Sequence, residues 1–198
     1  MDAYEDEITS FLLEKENFLL ALDIEKHFEK AKDQLHRQLW EKLRANVEGR
    51  LLEEGWSVEL DDFGGENNVA RGYFGMSILP PDQTPQFYLM FRVEQHAGPT
   101  YLPLYGGVTW TEVPGITAAG NLISNLQSQL KEDGFTRSNE KWPGWRYIRG
   151  LSSRNDFLRE YMERSDDLLE EITGHVSMMV ERHSGELLRT NKYIQERI

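Results

Sequence analysis

The chain has 198 residues, of which 39% are hydrophobic and 28% charged, with no cysteine and a formal net charge of −12. This makes one folded domain over residues 1–198 the expectation and excludes disordered and fibrous classes; the missing thiols also exclude disulfides, thiolate nucleophiles and cysteine-based zinc sites. The start, Met1-Asp2-Ala3-Tyr4-Glu5-Asp6-Glu7, is acidic where a secretion signal is basic, and no apolar run approaches the roughly 18 residues of a membrane span, so a cytoplasmic protein without membrane contact is expected.

Taken in chain order, Ile8 to Leu22 is helix-like, with Phe11, Leu12, Phe18, Leu19 and Leu22 as its apolar positions, and it either packs separately or runs into the helix that follows. A longer amphipathic helix follows from Ile24 to about Leu52, because Ile24, Phe28, Ala31, Leu35, Leu39, Leu43, Val47 and Leu51 recur at three- and four-residue steps. Gly55 is placed to end it. The period then falls toward two, and β-branched and aromatic residues predict strands over Trp56 to Leu60, Ala70 to Leu79, Phe87 to Gln95 and Tyr101 to Trp110. Turn-forming residues between them predict hairpins and an antiparallel sheet.

Helical spacing returns at Ile116, Ala119, Leu122, Ile123, Leu126 and Leu130 and stops at Gly134. Lys141 to Arg149 reads as a further strand. From Asn155 onward the tail is helical, with Ser153 or Asn155 as N-cap and with Gly174 and Gly185 as candidate breaks. The expected architecture is a central antiparallel sheet of about four to five strands, with helices from both ends covering one face.

The charge is unevenly spread. Residues 1–66 carry 18 acids against 8 bases, residues 67–149 carry 6 against 7, and residues 150–198 carry 10 against 7. Such a surface repels phosphates and steers basic partners inward, so direct strong nucleic-acid binding is not expected and a protein partner with a basic surface is. Glu53, Glu54, Asp61, Asp62 and Glu66 are the carboxylates expected to meet that partner, in the manner of a row of phosphates. Of the 22 aromatic residues, 12 fall between positions 67 and 149. Trp142 and Trp145, separated by Pro143 and Gly144, are the interface anchors this cluster offers, with Arg146 and Arg149 beside them.

Catalytic constellations are incomplete. Pro81-Asp82 followed by Glu94-Gln95-His96 echoes the metal-binding signature of PD-(D/E)XK nucleases, in which two carboxylates hold Mg²⁺ and a lysine serves the attacking water. His96 stands at the lysine position, so Asp82, Glu94 and His96 form the alternative, catalytic reading. No histidine pair has the i, i+4 spacing of a metal site, and the glycine pairs lack a Walker lysine, so no cofactor and no metal are expected.

The order of a helical N-terminal stretch, Gly72-Tyr73-Phe74-Gly75, Trp142-Pro143-Gly144-Trp145-Arg146-Tyr147 and a long final helix resembles the C-terminal half of certain phage and bacterial PD-(D/E)XK family proteins. In that family the catalytic carboxylates precede this region. The resemblance therefore implies an accessory or recognition portion without its nuclease core, and a role in phage and host conflict such as inhibition of a defence complex.

Overall fold

The structure, a computed structural model, describes residues 3–51, 54–62, 73–81, 88–96, 103–113, 123–150 and 153–196. It resolves into two compact units, Met1–Gln38 and Leu39–Ile198. The first is helical. Helix α1 spans Ala3–Leu13, and helix α2 spans Lys15–Leu51, its first part lying in this unit. The helical period breaks at Glu14 and not between Leu22 and Ile24, so the early apolar segment runs into the long helix. Asn17 secures the break, its side-chain amide donating to the Phe11 carbonyl at 3.0 Å and to the Glu14 carboxylate at 2.9 Å.

The second unit contains the sheet. Strands β1 (Ser57–Leu60), β2 (Tyr73–Leu79), β3 (Leu89–His96), β4 (Leu104–Trp110) and β5 (Gly144–Arg149) pair antiparallel in chain order. Gly55 adopts φ of 77°, a left-handed conformation that suits glycine. Register places Phe74, Met76 and Ile78 beside Gln95, Val93 and Phe91, on one face with Leu104 and Val108. That face is buried against the last turns of α2 and the C-terminal helix α5 (Ser165–Gln195), on which helix α4 (Arg154–Glu163) packs. Trp40 meets Phe74 edge-on at 5.2 Å, and Leu39, Leu43, Val47 and Leu51 are all buried. The sequence-based architecture, α+β with an antiparallel sheet and helices from both ends on one side, is the one observed.

Local chemistry explains the element ends. Helix α3 (Ser124–Glu132) closes in a Schellman motif: the Phe135 amide donates to the Leu130 carbonyl at 2.9 Å and the Gly134 amide to Lys131 at 3.1 Å, with Gly134 at φ of 87°. The start expected for this helix, at Ile116, Ala119 and Leu122, lies outside the described residues. Ser153 caps α4 through its hydroxyl, which accepts from the Asp156 amide at 3.1 Å. At the far end of the sheet, continuing the β2–β3 register would set Pro80 opposite Leu89, and proline has no N–H to donate. Asn191 of α5 supplies the missing partners, accepting from the Leu89 amide at 2.7 Å and donating to its carbonyl at 2.9 Å. This side chain fastens the terminal helix to the sheet.

The tail differs from expectation at its breaks. The helix is interrupted at Arg164, while Gly174 and Gly185 lie within an unbroken α5. Two glycines cost roughly 1 kcal/mol each relative to alanine, less than the burial of the stripe formed by Leu168, Ile172, Val176, Val180 and Leu187 contributes. A Cβ at either glycine would meet nothing within 4 Å. Gly174→Ala and Gly185→Ala are therefore expected to stabilise the fold by about 0.5–1 kcal/mol each, read as a higher midpoint in thermal or urea unfolding. Among the described residues, no helix is long and apolar enough to cross a membrane.

Candidate functional site

The second face of the sheet has a different composition. Alternation along β3 puts Arg92, Glu94 and His96 on this face, and register aligns them with Ser77, Gly75 and Tyr73 of β2 and with Gly107 and Tyr105 of β4. Trp145 and Tyr147 of β5 continue the rows beyond Gly107 and Tyr105. Together with Pro103, Asn139, Lys141 and Trp142, these side chains line a cleft of about 420 Å³.

A charged network forms its base. Arg92 lies between two carboxylates: Nη2 donates to Asp61 Oδ2 at 2.5 Å, Nη1 to Asp61 Oδ1 at 3.0 Å, and Nε to Glu94 Oε2 at 2.6 Å. Nη1 also reaches the Ser77 hydroxyl at 3.0 Å. Four of the five guanidinium N–H groups are thereby committed. The Tyr105 hydroxyl donates to the other Glu94 oxygen at 2.5 Å, and the Gly75 amide donates to Asp61 Oδ2 at 2.9 Å. Asp61, Arg92 and Glu94 together carry one net negative charge, with Glu94 buried and Arg92 nearly so.

Backbone pairing makes the network possible. The Asp61 amide donates to the Gly75 carbonyl at 3.0 Å, extending the β1–β2 ladder by one residue. Gly75 then stands between Asp61 and Glu94 and places no side chain in the path of the guanidinium. A Cβ there would collide with the Val93 carbonyl. Burial alone would lower the arginine's pKa, but the hydrogen bonds and charges of Asp61 and Glu94 hold it above the ordinary value. Burial, then the hydrogen bond to Glu94, pushes the Tyr105 phenol well above its ordinary range, so it stays a donor.

Aromatic rings form the walls. Tyr105 packs against Trp145 at 5.1 Å and Trp142 at 5.6 Å, and Trp145 meets Tyr147 edge-to-face at 5.5 Å. On the opposite side Tyr73, 64% exposed, stacks on His96 at 4.5 Å. The protein already places one cation on these rings: the Arg137 guanidinium lies 4.7 Å from the Tyr147 ring centre and 5.1 Å from that of Trp145. The turn before β5 is fixed by Asn139, whose Oδ1 accepts from the Lys141 and Trp142 amides at 2.9 Å each. Gly107 lets β5 approach, since a Cβ would strike the Gly144 carbonyl.

The residues singled out from sequence are distributed unevenly around this cleft. Trp142 and Trp145 both line it, the first buried and the second half-buried. Arg146 and Arg149 do not: Arg146 donates to the Asp133 carbonyl at 2.9 Å and lies over Phe135, while Arg149 pairs with Glu160. Glu94 and His96 also line the cleft, with both Glu94 oxygens engaged by Arg92 and Tyr105; Asp82 lies outside the described residues. Among the described residues, no three His, Asp or Glu side chains are grouped to hold a metal ion. Glu54 and Asp62 are exposed, and Glu53 and Glu66 lie outside the described residues. Asp61, one of the carboxylates expected to meet a partner, is the second partner of Arg92. Arg92 and Tyr105 carried no sequence signal of their own beyond the alternation of their strands.

The network fixes two expected outcomes. Asp61→Asn should cost about 1–3 kcal/mol because it leaves a nearly buried guanidinium half-paired, whereas Glu54→Gln, at an exposed position, should stay within about 0.5 kcal/mol; urea unfolding distinguishes them. The raised Tyr105 pKa gives the sign of a pH effect: the folded state keeps a proton that the unfolded state loses, so stability is full below about pH 10 and declines as pH rises further. Thermal midpoints between pH 9 and 11 should fall less steeply in Tyr105→Phe than in the parent chain.

Comparison with protein-family models, curated proteins and solved structures finds no match to this chain.

Proposed function

We propose that this chain is a cytoplasmic, non-enzymatic binding protein whose aromatic cleft receives an arginine or lysine side chain from a basic surface of a protein partner. One observation carries the reading: Arg92, the cation at the base of the cleft, is spent on Asp61 and Glu94, leaving a net negative charge beneath aromatic walls. Aromatic faces and a buried carboxylate attract a cation from two directions. At the base of the cleft a phosphate would find few donors, because Arg92 has at most one N–H to spare; Lys141, which also lines the cleft, is exposed.

The overall charge of −12 adds long-range steering toward a basic partner, which acts on association rate and weakens with salt. Basic surfaces of this kind commonly serve nucleic acid. Occupying one would exclude nucleic acid from it, which makes competition the functional consequence of binding.

Titration with an arginine-rich peptide, followed by tryptophan fluorescence, tests the assignment. The parent chain should bind, more weakly at higher ionic strength, and Trp145→Ala or Tyr147→Ala should lose about tenfold in affinity, corresponding to roughly 1–2 kcal/mol of cation–π attraction. A single-stranded oligonucleotide should not bind. Binding of the oligonucleotide with indifference to the peptide would overturn the proposal.

A further inference from the structure

The walls of the cleft and its floor offer a ligand different things. Strands β2 and β5 stand three strand spacings apart, about 14 Å, and between them β3 and β4 bring Glu94 and Tyr105 to the floor. Tyr73 belongs to the β2 wall, and Trp145 and Tyr147 to the β5 wall. Tyr73 and Tyr147 are exposed and Trp145 is half-buried, whereas Glu94 is only 5% exposed. The rings of the walls are thus open to a ligand, while the carboxylate beneath them is not.

The acceptors of the cleft are already engaged. Glu94 Oε1 accepts from the Tyr105 hydroxyl and Oε2 from Arg92 Nε, and the Asp61 oxygens are taken by Arg92 and the Gly75 amide. At the other wall Asn139 Oδ1 accepts from two backbone amides. An unmodified lysine brings three N–H donors and an arginine five, all hydrogen-bonded in water. A donor that enters the cleft without an acceptor gives up that hydration without replacement. The guanidinium that already meets these rings, that of Arg137, does so from an exposed position and does not line the cleft.

A trimethylated lysine escapes this cost. It keeps its full positive charge, carries that charge on C–H surface and has no N–H to satisfy. Aromatic faces attract the charge and bury the methyl groups as apolar surface. Lys141 also lines the cleft, but its charge, exposed to water, acts alike on either form of a bound lysine. We infer that the cleft selects a trimethylated lysine of the partner over an unmodified one. This rests on the cation-binding reading above and specifies its ligand.

Calorimetric titration of the full chain with basic peptides of one sequence, differing only at a single central side chain, tests the selection at one ionic strength. The peptide with trimethyllysine should bind about tenfold more tightly than the peptide with lysine, and about tenfold more tightly than one with the uncharged tert-butyl isostere. Tyr73→Ala and Tyr147→Ala should each narrow the first ratio toward one; a ratio unchanged in both variants would overturn selection by these walls. Equal affinity for the lysine and trimethyllysine peptides, or tighter binding of lysine, would overturn the selection and leave cation recognition standing. Equal affinity for the trimethyllysine peptide and its neutral isostere, or binding of none of the three, would overturn cation recognition in the cleft and the selection with it.

Discussion

Arg92 is the constraint around which the second face of the sheet is arranged. A guanidinium cannot be deprotonated to escape burial, so once β3 places it among strands it must find acceptors for its hydrogen bonds and a counter-charge for its cation. Asp61 and Glu94 supply both. Asp61 comes from the end of β1, two strands away, and Glu94 from the next position on the same side of β3. Their geometry therefore depends on the β1–β2–β3 register and on the absence of a side chain at Gly75. Glu94 in turn fixes Tyr105, against which Trp142 and Trp145 pack. The charge balance at the base and the positions of the rings thus follow from one buried cation.

The two faces of the same strands divide the work. On one, Phe74, Met76, Ile78, Phe91, Val93 and Val108 are shielded by helices, and Asn191 meets the backbone groups that Pro80 cannot. On the other, alternate residues of those strands form a concave surface of aromatic and charged groups. Period-two alternation makes this division possible: a one-residue slip of β3 would exchange Arg92, Glu94 and His96 for Phe91, Val93 and Gln95 and destroy both faces together. The cleft is held in register by the hydrophobic core behind it.

Much of the fold was legible in sequence because it is periodic. The five strands fall on the segments predicted from alternation and turn chemistry, Ser153 and Gly134 occupy the helix-end positions that their conformational preferences suit, and Gly55 takes a left-handed conformation ahead of β1. The site was less legible. Trp142 and Trp145 were identifiable from an unusual local sequence, and Glu94 and His96 from a motif. Asp61, however, reads locally as one acid in an acidic, turn-rich stretch, and only long-range register turns it toward Arg92. The row Arg92, Glu94, His96 alternating with Phe91, Val93 and Gln95 was a usable signal, since three ionisable residues on one side of a central strand require partners. Gly174 and Gly185 misled in the opposite direction, because a local preference to end a helix was outweighed by packing along the stripe of α5.

The five tryptophans offer a direct measure of the proposed recognition of a cation in the cleft. Trp142 and Trp145 line the cleft, whereas Trp40, Trp56 and Trp110 are buried and do not line it. Titration with free arginine, followed through the indole N–H resonances, should shift Trp142 and Trp145 and leave the other three in place, while inorganic phosphate at matched ionic strength should move none. Shifts of the same two resonances with phosphate, or none with arginine, would contradict the account.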